Sequence, residues 1–313
     1  MQLLLTNKKR TNLDPDIIYP PTRKVFLFTN ARNERHLPEW AFHHLLIGFN
    51  HVFIFDHLSQ PPIKPFDRNV TIIRCNKANP VKLYLMNVAL QIAIKEKADW
   101  FIYLDADEFI ILNKFQGIKQ MLNQYHYAHS LSLNWLMFGS NNHIQEPPGL
   151  ILENYTRSDL VLNQHVKTFV RPREAKNNPD NPHYYLMKNQ NRIFNLDNQI
   201  ITSPFYSNPT TKAFSQVPAY IAHYVYQSED TYINRKIKTS RDDNAEIRGF
   251  DPNLHQHHNE VENLYPKNKY AKRLSELIYP SKISSFNDNE DSFNTEPCVS
   301  VEDNTEQKEQ IVF

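Results

Sequence analysis

The sequence predicts an α/β fold: a mostly parallel central sheet with flanking helices, continued by a mixed half of strands and loops. Two observations carry this expectation. From residue 23 to about 113, short β-rich runs alternate with longer helical patterns, the order that a parallel sheet with crossover helices imposes. Beyond residue 114 the apolar runs are separated by long stretches rich in Asn and Pro. Composition agrees, since 40% hydrophobic and 22% charged residues are globular values. A chain of 313 residues buries roughly 75% of its unfolded surface and needs no disulfide or structural metal to hold a core.

Residues 1–22 form a polar lead-in ending in Tyr19-Pro20-Pro21, whose prolines oppose a helix. Val25–Thr29 reads as a buried strand, and Pro38–Gly48 as a helix with Pro in its first turn and Gly at its end. His51–Asp56 and Val70–Arg74 are the second and third strands. Val81–Lys97 is a long helix, apolar almost all round except for Asn87, Gln91 and Lys95 at i, i+4 spacing. Trp100–Leu104 is a fourth strand. In the second half, Ser130–Met137, His165–Val170 and Ala219–Tyr226 read as strands. Glu229–Arg241 reads as a helix with Ser228 as its N-cap, and segment 172–218 as mostly loop. From residue 284 the apolar content collapses, which predicts a disordered tail.

Several classes are excluded by composition. The five glycines, Gly48, Gly117, Gly139, Gly149 and Gly249, are too scattered for GxGxxG or GxxxxGK[ST], so a phosphate-wrapping glycine loop is absent. The net charge of +1 opposes a sequence-independent grip on nucleic acid. That average hides a tail, 284–313, with eight acids against one base, which leaves residues 1–283 at net +8. A basic body suits an anionic small molecule or membrane surface, as it suits an ordinary solvated surface. Cys75 and Cys298 are too few for a disulfide framework and read as reduced. No N-terminal apolar h-region is present, and runs such as Leu45–Phe49 and Phe109–Leu112 fall short of the ~20 residues of a membrane span. The expectation is a cytoplasmic chain without a transmembrane segment.

The strongest local signal is Trp100-Phe-Ile-Tyr-Leu-Asp105-Ala-Asp107-Glu108-Phe-Ile, an apolar strand that runs into three carboxylates within four positions. Repulsion and desolvation make such a cluster costly unless a cation sits among the acids, and Mg2+ or Mn2+ with a substrate phosphate would supply one. A solvated, helix-capping loop is the plainer alternative. Thr29-Asn-Ala-Arg32-Asn33-Glu34 follows the first strand, where Arg32 can meet a pyrophosphate. Asp56 ends the second strand, where a carboxylate can bond a base or ribose or simply make a turn. All three signals fall at carboxyl ends of strands, where open α/β sheets bind ligands. Later, His223 is a metal or phosphate candidate. Glu229 and Asp230 sit in a first helical turn that favours acids anyway. Lys236, Lys238 and Arg241 read as a solvated face, and His255, His257 and His258 as a flexible loop. Trp135 reads as core or as a sugar-stacking ring.

Together these segments resemble glycosyltransferase family 92 and related family 2-like glycosyltransferases. Glu39-Trp40…His43-His44…Gly48…His51, followed by a strand ending in Asp56-His57-Leu58-Ser59, is similar to their E-W-x-x-H-H opening block. Trp100 to Ile110 is similar to their W-x-x-x-x-D-x-D-E-F block. Trp135 to Ser140, Lys167 to Pro172, Pro182-His183 and His223 to Glu229 follow in the family's order. The sequence departs from the pattern with His57 where Asn is common and Gln227 where a basic residue is common.

The resemblance implies a GT-A fold over 23–283, divided into a nucleotide-binding half (23–113) and an acceptor half (114–283). It implies a nucleotide-sugar donor, UDP-linked, a glycan or other hydroxyl acceptor, Mn2+ (or Mg2+) and inverting transfer. Thr29, Arg32, Asp56, Asp105 and Lys82 would hold the donor, and Asp105, Asp107 and His223 the metal. Trp135 and His183 would face the acceptor. Glu229, Asp230 and Glu108 are the base candidates, in that order, since an inverting displacement needs one. Asp107 is expected to be partly exposed in a crevice. Two rival readings are a nucleotidyltransferase acting on a sugar phosphate and an inactive sugar- or nucleotide-binding protein. The first usually carries a glycine-rich loop near its first strand, and no Gly precedes Gly48.

Overall fold

β1 (Val25–Ala31) is apolar on both faces because both are covered: Val25 and Leu27 enter one hydrophobic cluster, Phe26 and Phe28 another. This is the pattern of a strand in the interior of a parallel sheet. The computed structural model describes residues 19–201, 207 and 212–279. The expected acidic tail and residues 1–18 of the lead-in lie outside the described residues. The chain continues through α1 (Leu37–Leu46), β2 (His51–His57), β3 (Val70–Cys75), α2 (Lys82–Lys95), β4 (Trp100–Tyr103) and β5 (Glu108–Leu112). There follow α3 (Ile118–Gln124), β6 (Ser130–Met137), α4 (Ile151–Asn154), β7 (Arg157–Ser158), β8 (Val166–Val170) and β9 (Ile193–Asn195). β10 (Ala219–His223), α5 (Glu229–Tyr232), β11 (Val261–Glu262) and α6 (Lys272–Ile278) complete the order.

The sheet runs β3-β2-β1-β4-β8-β6-β10-β5, with β9 beside β6; β7 and β11 form a separate ribbon. The pairs β3–β2, β2–β1, β1–β4 and β6–β10 are parallel, whereas β8 is antiparallel to both neighbours and β5 to β10. The carboxyl ends of β1, β2, β3, β4, β6 and β10 therefore share one side, and β5 and β8 begin there. The fold is mixed α/β with a mostly parallel sheet. Among the described residues no helix is long and apolar enough to cross a membrane.

The expected strands and the first two helices recur with ends displaced by up to three residues. Ala219–Tyr226 stops at His223, and the helix expected over Glu229–Arg241 ends as a π turn over Ile233–Ile237. Ser228 does cap it, accepting from Thr231 N–H at 3.3 Å. Segment 172–218, where described, is mainly loop, with β9 as its strand. The sequence reading assigns nothing to β5, α3 or α6. β5 escapes it because the turn from β4 is so short: Glu108 N–H closes it onto Asp105 O at 3.0 Å, with no Gly, Pro or Asn to mark it.

β5 is a sheet edge, and side chains close it. Trp40 Nε1 donates to Glu108 O (2.7 Å), His43 Nε2 to Ile110 O (2.9 Å), and Ile110 N–H donates to His44 Nε2 (3.3 Å). Further along, Leu112 N–H donates to Tyr270 Oη and Tyr265 Oη donates to Leu112 O, both at 3.2 Å. His44 Nδ1 donates to Trp40 O at 2.8 Å, so its Nε2 is the lone-pair nitrogen that accepting from Ile110 requires. Burial keeps both rings neutral, lowering His43 to about 4 and His44 well below its ordinary value. Glu39 belongs to the same block, and its carboxylate receives the N–H groups of Ile151 (2.7 Å) and Leu152 (3.0 Å) at the start of α4.

A second polar hub fixes α5. Glu146 accepts from His36 (2.9 Å), Tyr155 (2.7 Å), Ser228 (2.7 Å) and Thr231 (2.8 Å). Burial pushes this carboxyl up, but these four bonds overcome it and bring the pKa down to about 2. Replacing Glu146 by Ala is expected to cost about 3 kcal/mol in chemical denaturation, because a hydrogen-bonded charge is lost from several buried partners. The folded pKa lies below the ordinary 4.5, so the wild-type advantage over that variant should be complete above pH 4.5 and disappear as the pH falls toward about 2.

Candidate active site

Seven of the residues singled out from the sequence line one crevice at the shared carboxyl side of the sheet: Arg32, Lys82, Asp105, Asp107, Trp135, His183 and His223. Arg32 follows β1, and Asp105 and Asp107 occupy the turn from β4 to β5. His223 ends β10, directly opposite Glu108 in the β10–β5 register. Tyr224 N–H donates to Asp107 O at 2.9 Å, which ties that turn to the end of β10.

The acids of the turn are paired with cations; Asp107 and Glu108 are buried and Asp105 is half-buried. Asp105 Oδ1 bonds Lys82 Nζ, and Oδ2 lies 3.2 Å from Lys167 Nζ. Asp107 Oδ2 lies 2.8 Å from Lys236 Nζ and 3.4 Å from Arg235, while Oδ1 is buried without a hydrogen-bond partner, 3.6 Å from His223 Nε2. Burial pushes both acids up, but Lys167 and Lys82 hold Asp105, and Lys236, His223 and Arg235 hold Asp107, well below the usual carboxylate range. Glu108 behaves oppositely. Burial, helped by Asp105 and Asp107 and opposed by Lys167, raises it to about 8. His223 is lowered to about 4 by burial, against the pull of Asp107, so it is neutral at pH 7.

Five expected site residues do not line the crevice. Thr29 is fully buried, with its hydroxyl on Asn30 O at 3.3 Å. Asp56 is 1% exposed and saturated: it accepts from Ser59 N–H (3.1 Å), Ile63 N–H (3.0 Å) and Arg74 (2.6 Å), which makes it a loop anchor. Glu108 is fully buried and braces the turn by accepting from Asp105 N–H at 2.9 Å. Glu229 is paired with His255 at 3.2 Å, and Asp230 sits beside Ser228 Oγ, both away from the crevice lining. His255, His257 and His258 do not converge; each meets a different carboxylate, Glu229, Asp251 and Asp159.

Other positions differ from expectation in exposure. Asp107 is 1% exposed because two cations fold over it. Lys236 and Arg241 line the crevice rather than a solvated face. Trp135 has His165 stacked on its ring at 5.2 Å and His183 and His223 tilted against it at 5.1 and 4.4 Å. Lys167, 1% exposed in β8, is a site residue with a legible signal, since a lysine inside Val-Lys-Thr-Phe-Val must be paired if that strand is buried. Glu34, Arg235 and Asp242 carried no such signal.

No protein-family model matches the chain, and no curated protein matches it. Among solved structures it is similar to a "crystal structure of a glycosyltransferase involved in the glycosylation of the major capsid of PBCV-1", at 12% identity and a TM-score of 0.24, over 48% of this chain and 60% of that one. The aligned part spans less than two thirds of that protein, and so partial a superposition carries no argument about chemistry. The observed architecture is a mixed α/β fold with a mostly parallel sheet.

Removing the Asp107 carboxylate would leave Lys236 and Arg235 facing each other beside a buried turn. Asp107→Ala is therefore expected to lose about 3 kcal/mol in a denaturant titration, where a solvated loop acid would lose almost nothing.

Proposed function

We propose that the protein is a metal-dependent GT-A glycosyltransferase, related to family 92, that moves a sugar from a UDP-linked donor to a hydroxyl of a glycan acceptor with inversion. The observation that carries this reading is the convergence of Asp105, Asp107, Arg32 and His223, from three strand ends, on one crevice.

The residues present suit a divalent ion. Asp107 Oδ1 and the neutral His223 Nε2 face each other without hydrogen-bonding, and a hard carboxylate with an imidazole is a fitting pair for Mn2+. Among the described residues no group of three or more such side chains gathers, so the donor's diphosphate would complete the coordination. When bound, the ion would act as a Lewis acid toward that diphosphate. Arg32 meets the pyrophosphate, and Asp105, kept ionised by Lys82 and Lys167, accepts from the ribose hydroxyls.

In the transfer, the acceptor oxygen bonds to the anomeric carbon as the bond from that carbon to the diphosphate oxygen breaks. The electron pair leaves with the nucleoside diphosphate, and the acceptor's proton passes to a carboxylate. Asp243 is the base in this reading. It lines the crevice, and although burial pushes its carboxyl up, Arg241 holds it ionised. Asp242, its neighbour, is held by Asn30 at 2.6 Å and by Lys82 at 3.6 Å, and Asp243 by Arg241, whose Nε lies 2.8 Å from Oδ1.

Donor hydrolysis across a panel of nucleotide sugars tests the function. Turnover of a UDP-sugar should need Mn2+ or Mg2+ and stop in excess chelator; no hydrolysis of any donor with metal present would sink the reading. Asp243→Asn should lower kcat about 100-fold or more with little change in donor affinity, whereas Glu229→Gln should leave kcat within about twofold.

A further inference from the structure

Arg235 and Lys236 are adjacent in sequence, yet both reach the same oxygen of Asp107. Neighbouring residues of an α-helix do not face the same way. Both residues lie in the π turn over Ile233–Ile237, and such turns occur frequently at functional sites. Arg235 also bonds Glu34 at 2.7 Å, so it spans the loop after β1 and the turn after β4.

Two features exceed what counter-ions to Asp107 require. Arg235 Nε is buried without a hydrogen-bond partner, and so is Trp135 Nε1; both residues belong to the crevice lining. Seven basic side chains line the crevice against five acidic ones, an excess of two positive charges before any ligand enters. Unused N–H donors on lining residues and surplus positive charge around the crevice are complementary to an oxyanion of about two negative charges.

We propose that Arg235 and Lys236 join Arg32 in binding the diphosphate at this site. Lys236 turns from Asp107 to the phosphate oxygens, and Arg235 Nε donates to the oxygen that gains charge as the sugar leaves. The inference rests on the glycosyltransferase reading for the identity of the ligand, but its chemistry requires only a diphosphate.

The probe is inorganic pyrophosphate, titrated calorimetrically without metal into the wild-type chain and two variants. The wild type should bind it. Lys236→Met should bind at least about 10-fold more weakly, and Lys236→Arg within about threefold of wild type. If Lys236→Met does not fold, Arg235→Lys keeps the charge but removes Nε, and should weaken binding about fivefold. Absent binding to the wild type, or affinity unchanged in the folded variants, overturns the inference. Lys236-dependent pyrophosphate binding in a chain that hydrolyses no nucleotide sugar would leave the anion site standing and remove the transferase reading. Intact donor hydrolysis with pyrophosphate binding indifferent to both residues would do the reverse.

Discussion

The closure of the β5 edge by side chains of α1 is the constraint on which the crevice depends. A sheet edge exposes unpaired N–H and C=O groups, and here Trp40, His43 and His44 take them up. Those bonds fix β5 against α1 while β10 fixes its other side. Glu108, the first residue of β5, is then held by Trp40 through its carbonyl and holds Asp105 through its carboxyl group. The two aspartates are aimed by this chain of contacts. Their own loop contributes little, since it is four residues long.

Electrostatics binds the rest of the molecule to that turn. Two carboxylates at low dielectric would not remain ionised unaided. The cations that keep them so come from three distant places: Lys82 at the head of α2, Lys167 in β8, and Arg235 with Lys236 beyond α5. Each element is placed by different packing. The charge state of the site is thus a property of the complete fold, and the Glu146 hub at the N-terminus of α5 contributes to it from outside the crevice.

The alternation of strands and helices was legible because it is written in apolar periodicity, which burial enforces directly. The Asp105–Asp107 turn was legible for the converse reason, since acids directly after a fully apolar strand demand an explanation. The Glu39-Trp40…His43-His44 block was legible as a pattern but not in its meaning: its polar atoms serve the backbone of α4 and β5 rather than a ligand. Asp56 misled in the same way, because a carboxylate at a strand end looks alike whether it binds a substrate or three groups of its own loop. Arg235 and Lys236 could not be distinguished from a solvated helix face. The π turn that carries them leaves no trace in the residue types.

The histidines of α1 have a consequence for how the protein tolerates change. His43 and His44 stand where a neighbouring strand would otherwise pair, and their surroundings are so apolar that Leu at either position would pack well. A Leu at His44 would nonetheless leave the Ile110 amide open, and a Leu at His43 its carbonyl. A freed strand edge is a template for another chain. The characteristic defect of such a substitution is therefore self-association of molecules that are still folded.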